Sequence, residues 1–198
     1  MSVPAKYEAT AVLLESTARH GISFAALVAE TGLWTAPEVH RQLLTENGTG
    51  AYYPHVRRAR AGQGEKVGGK IGPIYLDSNN YANTAIKQAL GVKTVGFETC
   101  HIWPLTCYDE RYHTAIANLV LLPRALAGLS DHDPAILAML QYRAYELYSW
   151  HPRDKATPTK PVDYPTSWRA PFPFTAAIAR TLRRRRSRPT VSTYETIE

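Results

Sequence analysis

Along this chain apolar residues first recur at the three-to-four-residue spacing of helices. Tyr7 to Ala18 predicts one helix. Ser23, whose side-chain oxygen can accept from unpaired backbone N–H groups, predicts the start of a second near Phe24, and Gly32 predicts its stop. Thr35 predicts the cap of a third, with Pro37 in its first turn and Val39, Leu43 and Leu44 on one face. From residue 48 to 80 the spacing breaks. Glycine and arginine dominate there, which predicts a long irregular loop with one short strand from Ile71 to Leu76. Helical spacing returns at Asn79 to Leu90, with Tyr81, Ala85, Ile86 and Leu90 inward and Gly91 as the stop.

Two strand-prone runs follow, Val92 to Trp103 closed by Pro104, and Ala117 to Leu122 closed by Pro123. Arg124 to Leu129 predicts a single helical turn. Asp133-Pro134 is a cap followed by a first helical position, so the next helix should run from there to about Trp150. Residues 152 to 173 are proline-rich and predict an extended wrap. A short helix from Thr175 to Arg184 should then run into an arginine block, with an unstructured end. Four regions result: helical 1–50, a basic glycine-rich loop and helix 51–91, a strand-strand-helix core 92–152, and a proline-rich wrap with basic tail 153–198. The predicted class is α+β and mainly helical.

The stretch from Ile22 to Leu44 resembles a helix-turn-helix, in which the second helix enters the major groove. On that reading His40, Arg41 and Gln42 face outward toward DNA; a plain packing hairpin fits the same residues. Charge supports a polyanionic partner, since the net formal charge is +6. It is concentrated in two blocks, Arg57, Arg58, Arg60, Lys66 and Lys70, then Arg180, Arg183 to Arg186 and Arg188. Arginine meets phosphate through paired N–H donors, so Arg57, Arg58 and Arg60 are the expected phosphate contacts. No run is apolar for long enough to span a membrane. Two cysteines make no disulfide framework, and no signal-peptide core is present, so a reducing cytoplasm is expected.

Hydrolysis of a phosphodiester needs a base for water, a cation for the phosphate charge, and a group that holds the base. Histidine suits the first role because it titrates near neutrality. His101 lies on the first strand-prone run and Asn118 on the second, and the intervening loop permits antiparallel pairing. Alone, His101 reads better as a core histidine bonding a backbone carbonyl. Cys100 must point to the opposite face of its strand from His101. Tyr142, Tyr145 and Tyr148 at helical spacing read as packing.

FETCHIWP followed by ANLVLLPRALAGLSD resembles the HNH endonuclease superfamily, the ββα-metal nucleases, with restriction-type enzymes among the parallels. The resemblance covers Phe97 to His132. It implies a ββα core, His101 as general base, Asn118 orienting it, and metal-dependent cleavage of DNA by one site per subunit of a homodimer. It also implies a divalent ion, Mg or Mn before Zn, with Cys100 at a position that often holds metal. The family's third motif position falls at Ala127, which has no donor. Asp131 and His132 then become the expected ligands, with Asp109 and His113 as outsiders in the loop. Three other readings stay open. One is a non-catalytic DNA-binding protein with a degenerate core, and another a basic RNA-associated protein. The third is a structural zinc site drawn from Cys100, Cys107, His113 and His132.

Overall fold

The structure is a computed structural model that describes residues 9–186. Tyr7, Arg188 and the expected unstructured end lie outside the described residues. Helices predominate, and two small sheets complete an α+β fold. α1 spans Ala9–Arg19 and α2 spans Phe24–Thr31, where Ser23 Oγ accepts the Ala26 N–H at 3.2 Å and Gly32 ends the helix as predicted. α3 spans Pro37–Asn47 with Pro37 in its first turn, but its cap is Ala36. Thr35 is fully buried instead, its hydroxyl 3.0 Å from that of Tyr148. A tertiary bond has taken the oxygen that was expected to cap.

Between α2 and α3 the chain is extended, where a helix-turn-helix needs a tight turn. Leu33 N–H donates to Leu121 O at 2.9 Å and Leu121 N–H donates back at 3.3 Å. The connection is thus an extra rung on the central β-hairpin, and the helix-turn-helix expectation gives way to it.

The glycine-rich region is more ordered than its composition suggests. β1 (Val56–Arg58) runs parallel to β3 (Ile74–Asp77), with Arg58 opposite Asp77, and β2 (Lys70–Ile71) pairs antiparallel with β3. The one strand expected from Ile71 to Leu76 is therefore a hairpin. α4 (Asn80–Leu90) follows and ends at Gly91, whose φ of 69° is left-handed and favours glycine.

β4 (Phe97–His101) and β5 (Leu119–Pro123) form an antiparallel pair with His101 opposite Leu119. β4 starts later than the apolar run suggests because Gly96, at φ 76°, breaks the extension. Side-chain alternation makes this hairpin the partition of the core. Cys100, Val120 and Leu122 join Val28, Trp34 and Leu140 on one side, while Leu119 and Leu121 join Val39, Leu43 and Ile86 on the other.

Two short helical turns, α5 (Arg124–Ala127) and α6 (Leu129–His132), lead into α7 (Pro134–Tyr148). Asp133 Oδ1 accepts the N–H groups of Ala135 and Ile136 at 2.8 and 3.2 Å, the cap its Asp-Pro pair predicts. The proline-rich stretch is the wrap its composition predicts. Arg169 N–H donates to Ala29 O and Phe172 N–H to Trp34 O, and Tyr164 is buried. α8 (Ala176–Arg186) buries Ile178 and Leu182, and Arg185 binds Tyr52 O and Glu46. The arginine block therefore begins on a docked helix. Among the described residues no helix is long and apolar enough to cross a membrane.

Candidate active site

β4 presents Phe97, Thr99 and His101 on one face and Glu98 and Cys100 on the other. His101 is partly buried, and its Nε2 lies 2.9 Å from the carbonyl oxygen of His113. A carbonyl only accepts, so this bond requires the proton on Nε2 and leaves Nδ1 with its lone pair. Burial first, then the His113 ring and the Arg58 guanidinium, lower the pKa of His101. The bond to the His113 carbonyl and the Asp77 carboxylate oppose them, and the outcome is about 4. At neutral pH the ring is uncharged and can accept a proton.

His113 is fully buried, its Nε2 3.0 Å from Asp77 Oδ2. Its ring stacks on that of His101, with centroids 5.3 Å apart and planes inclined by 11°. Asp77 ends β3 and closes the start of α4. Its Oδ1 accepts the N–H groups of Ser78 and Asn80 at 2.8 and 3.1 Å, and its Oδ2 that of Tyr81 at 2.8 Å. Burial pushes the Asp77 carboxyl up, but the His113 bond and the backbone N–H groups outweigh it and hold it below the usual carboxylate range. Sequence reasoning left His113 a loop outsider and gave Asp77 no role. An aspartate just ahead of a helix start was the one signal available for Asp77; nothing local marked His113.

Asn118 is fully buried and does not hold the imidazole, contrary to expectation. Its Oδ1 accepts the Trp103 N–H at 3.2 Å, and its Nδ2 donates to Thr106 Oγ1 and Tyr112 O, each at 2.9 Å. Both amide hydrogens are thereby used. Asn118 closes the loop between the strands by holding Tyr112, the residue before His113.

The expected metal ligands separate. Cys100 lies in the apolar cluster with its thiol directed at the carbonyls of Glu98 and Ala127, each 3.9 Å away. Burial raises its pKa to about 11, and a soft sulfur does not suit a hard divalent ion. Ala127 is buried and has no donor. Asp131 and His132 are exposed on α6 and offer an oxygen and a nitrogen to solvent. Among the described residues no three His, Cys, Asp or Glu side chains converge on a metal position, and this includes both the expected triplet and the four zinc candidates.

The basic residues divide by burial. Arg57 is buried and grips Glu65 through two bonds of 2.7 Å, so it is not the phosphate contact expected of it. That grip, and then the Arg60 backbone N–H, hold the Glu65 carboxyl down at about 2. Arg58 is exposed and forms no ion pair among the described residues. Arg60 is exposed and lies 5.5 Å above the Tyr108 ring. Together they line an open groove of about 500 Å³ with Gln63, Leu105 and Tyr108.

On α3, His40 points inward, not outward. It is 1% exposed and sits edge-on between Tyr148 and Trp150, because α3 buries the Val39, His40 and Leu43 face. Burial, and then Arg41, lower its pKa to about 4, and neither ring nitrogen has a hydrogen-bond partner. Arg41 is exposed but bonded to Glu38 of its own helix, and Gln42 is half-buried.

No protein-family model matches the chain, and neither does any curated protein or solved structure.

Proposed function

We propose that this chain is a metal-dependent DNA endonuclease of the HNH type, with His101 as general base. The observation that carries the reading is the neutral His101 at the end of a β-hairpin, its Nε2 committed to a carbonyl and its Nδ1 left to accept a proton. Nδ1 takes a proton from water, whose oxygen attacks phosphorus; the phosphorus–oxygen bond to the leaving group breaks, and that oxygen takes a proton from solvent. The bond to His113 O steadies the imidazolium. Arg58 and Arg60 hold phosphates of the strand, which makes binding salt-sensitive. A Mg or Mn ion held by Asp131 or His132 would supply Lewis-acid stabilisation of the phosphate charge. Two copies would let one site cut each strand, and a reducing cytoplasm suits two free cysteines.

A non-catalytic DNA-binding protein with a degenerate core is the rival, and Ala127 at the family's third position favours it. Incubating supercoiled plasmid and defined duplexes with Mg²⁺, Mn²⁺, Zn²⁺ or EDTA separates the two. Metal-dependent cutting that disappears in His101→Ala is expected. A folded wild-type chain that binds DNA and cuts none of it would establish the rival.

A further inference from the structure

Asp77 and His113 take no direct part in that reaction, yet theirs is the most deeply buried of the ion-pairing contacts among the described residues, with side chains 4% and 0% exposed. Each end of the pair is anchored. Asp77 is tied to the start of α4 by three backbone N–H groups and lies opposite Arg58 across β1 and β3. His113 carries the carbonyl that receives the Nε2–H of His101. Loop bonds hold the residue that follows, since Thr114 O accepts the Tyr52 N–H at 2.8 Å and Thr114 Oγ1 accepts the Tyr53 N–H at 2.9 Å, and the pair adds a restraint on His113 itself. His113 N–H donates to Asp109 O at 2.8 Å, but its carbonyl has no role in a sheet or helix. The ring is pinned to Asp77 and stacked on His101, so ring and carbonyl of one residue contact the same imidazole.

We infer that the buried Asp77–His113 pair is a positioning device for His101: it fixes the His113 carbonyl, and that carbonyl selects which His101 nitrogen carries the proton. A shifted carbonyl would let the ring populate its other tautomer, whose Nδ1 is protonated and cannot act as a base. The inference rests on the reading of His101 as general base for its effect on rate, though not for its effect on the tautomer. Asp77 and His113 are positioning residues, since neither reaches the reacting atoms.

The test is long-range ¹H–¹⁵N correlation of the imidazole rings in the full ¹⁵N-labelled chain at pH 7. Wild-type His101 is expected as the Nε2–H tautomer; finding Nδ1–H would overturn the inference outright. His113→Phe keeps the ring and removes the donor to Asp77, and should turn His101 into a mixture of tautomers. His113→Gln, whose amide N–H can still reach Asp77, should restore a single one. Cleavage should follow the same order, with kcat for His113→Phe down roughly 10- to 100-fold and KM little changed, as misplacing a catalytic group predicts. An unchanged His101 tautomer in folded His113→Phe, or no recovery in His113→Gln, would overturn the proposal. Should His113→Phe not fold, Asp77→Ser keeps an oxygen for the α4 N–H groups, is too short to reach His113, and must give the same mixture. A wild-type chain that cleaves nothing would sink the nuclease reading and leave the tautomer result to stand or fall by itself.

Discussion

Asn118 Oδ1 accepts the backbone N–H of Trp103 at 3.2 Å, joining the residue before β5 to the start of the loop that leaves β4. With its two donated bonds, this one amide replaces the sheet and helix partners the loop lacks. Removing it strands the Trp103 N–H in a buried site, at about 1–3 kcal/mol for the unpaired group, and takes one of two donors from the Tyr112 carbonyl, which keeps the Ala115 N–H at 3.1 Å. Asn118→Ala should therefore lose on the order of 3 kcal/mol in urea unfolding, where the lost bonds set the scale. Asn118→Asp should be as poor at pH 7, because a carboxylate would face the Tyr112 carbonyl. Unlike alanine, it should recover stability as acid protonates it and restores a donor. Equal pH dependence of the two variants would contradict this account of the loop.

The adjacent Arg57 and Arg58 should separate cleanly. Arg57 is buried against Glu65, so Arg57→Ala should lower the thermal midpoint, and Arg57→Lys should rescue little because an ammonium cannot make both bonds at once. Arg58→Ala should leave the midpoint nearly unchanged and weaken DNA binding, reducing the slope of log affinity against log salt by about 1. Thermal unfolding and a salt series of binding titrations check both. A lower midpoint for Arg58→Ala, or an altered salt slope for folded Arg57→Lys, would reverse the assignment.

Local signals were legible wherever a residue's role is settled by its immediate neighbours. Ser23, Gly32, Asp133-Pro134 and Gly91 start or end helices where the sequence predicts, because caps and stops are matters of one turn of backbone. The β4–β5 hairpin with His101 near its end was legible from two β-prone runs bounded by prolines. What failed was long-range. Thr35 has a cap's chemistry but Tyr148, far along the chain, takes its hydroxyl. His40 has an exposed residue's polarity, yet α3 turns it into a nest of Tyr148 and Trp150. Arg57 looks like its neighbours until Glu65 folds back on it. The Asp77–His113 pair joins residues from two predicted loops, and no spacing along the sequence connects them.

Gly91 is required twice over where α4 meets α8. Its φ of 69° disfavours any side chain, and a Cβ there would stand 2.9 Å from Ile178 Cγ1. Gly91→Ala should cost about 1 kcal/mol for the conformation alone, with more from the clash. Leu182→Ala, a fully buried truncation on α8, should cost roughly 2–5 kcal/mol. If α8 is instead a loose tail, Leu182→Ala will not alter the urea midpoint and Gly91→Ala will show its conformational cost alone.

Two histidines should give the stability curve its acid limb. His40 and His101 both fall from the ordinary histidine value of 6.5 to about 4 in the folded chain. Between those pH values the unfolded chain binds protons that the folded chain refuses, so stability falls as pH drops from 6.5 toward 4 and levels off below. At roughly 1.4 kcal/mol per pKa unit, each ring accounts for about 3 kcal/mol of that loss. Asp77, held below the usual carboxylate range, adds its own loss only at lower pH. His40→Phe removes one of the two titrations together with two buried nitrogens that lack partners. It should flatten the slope between pH 6.5 and 4 by about half, by the same linkage, and should not lower stability at pH 7. His101→Phe should flatten the slope as well while abolishing cleavage. Urea unfolding across that pH range decides the matter: an unchanged slope in His40→Phe would mean that its ring is protonated inside the fold.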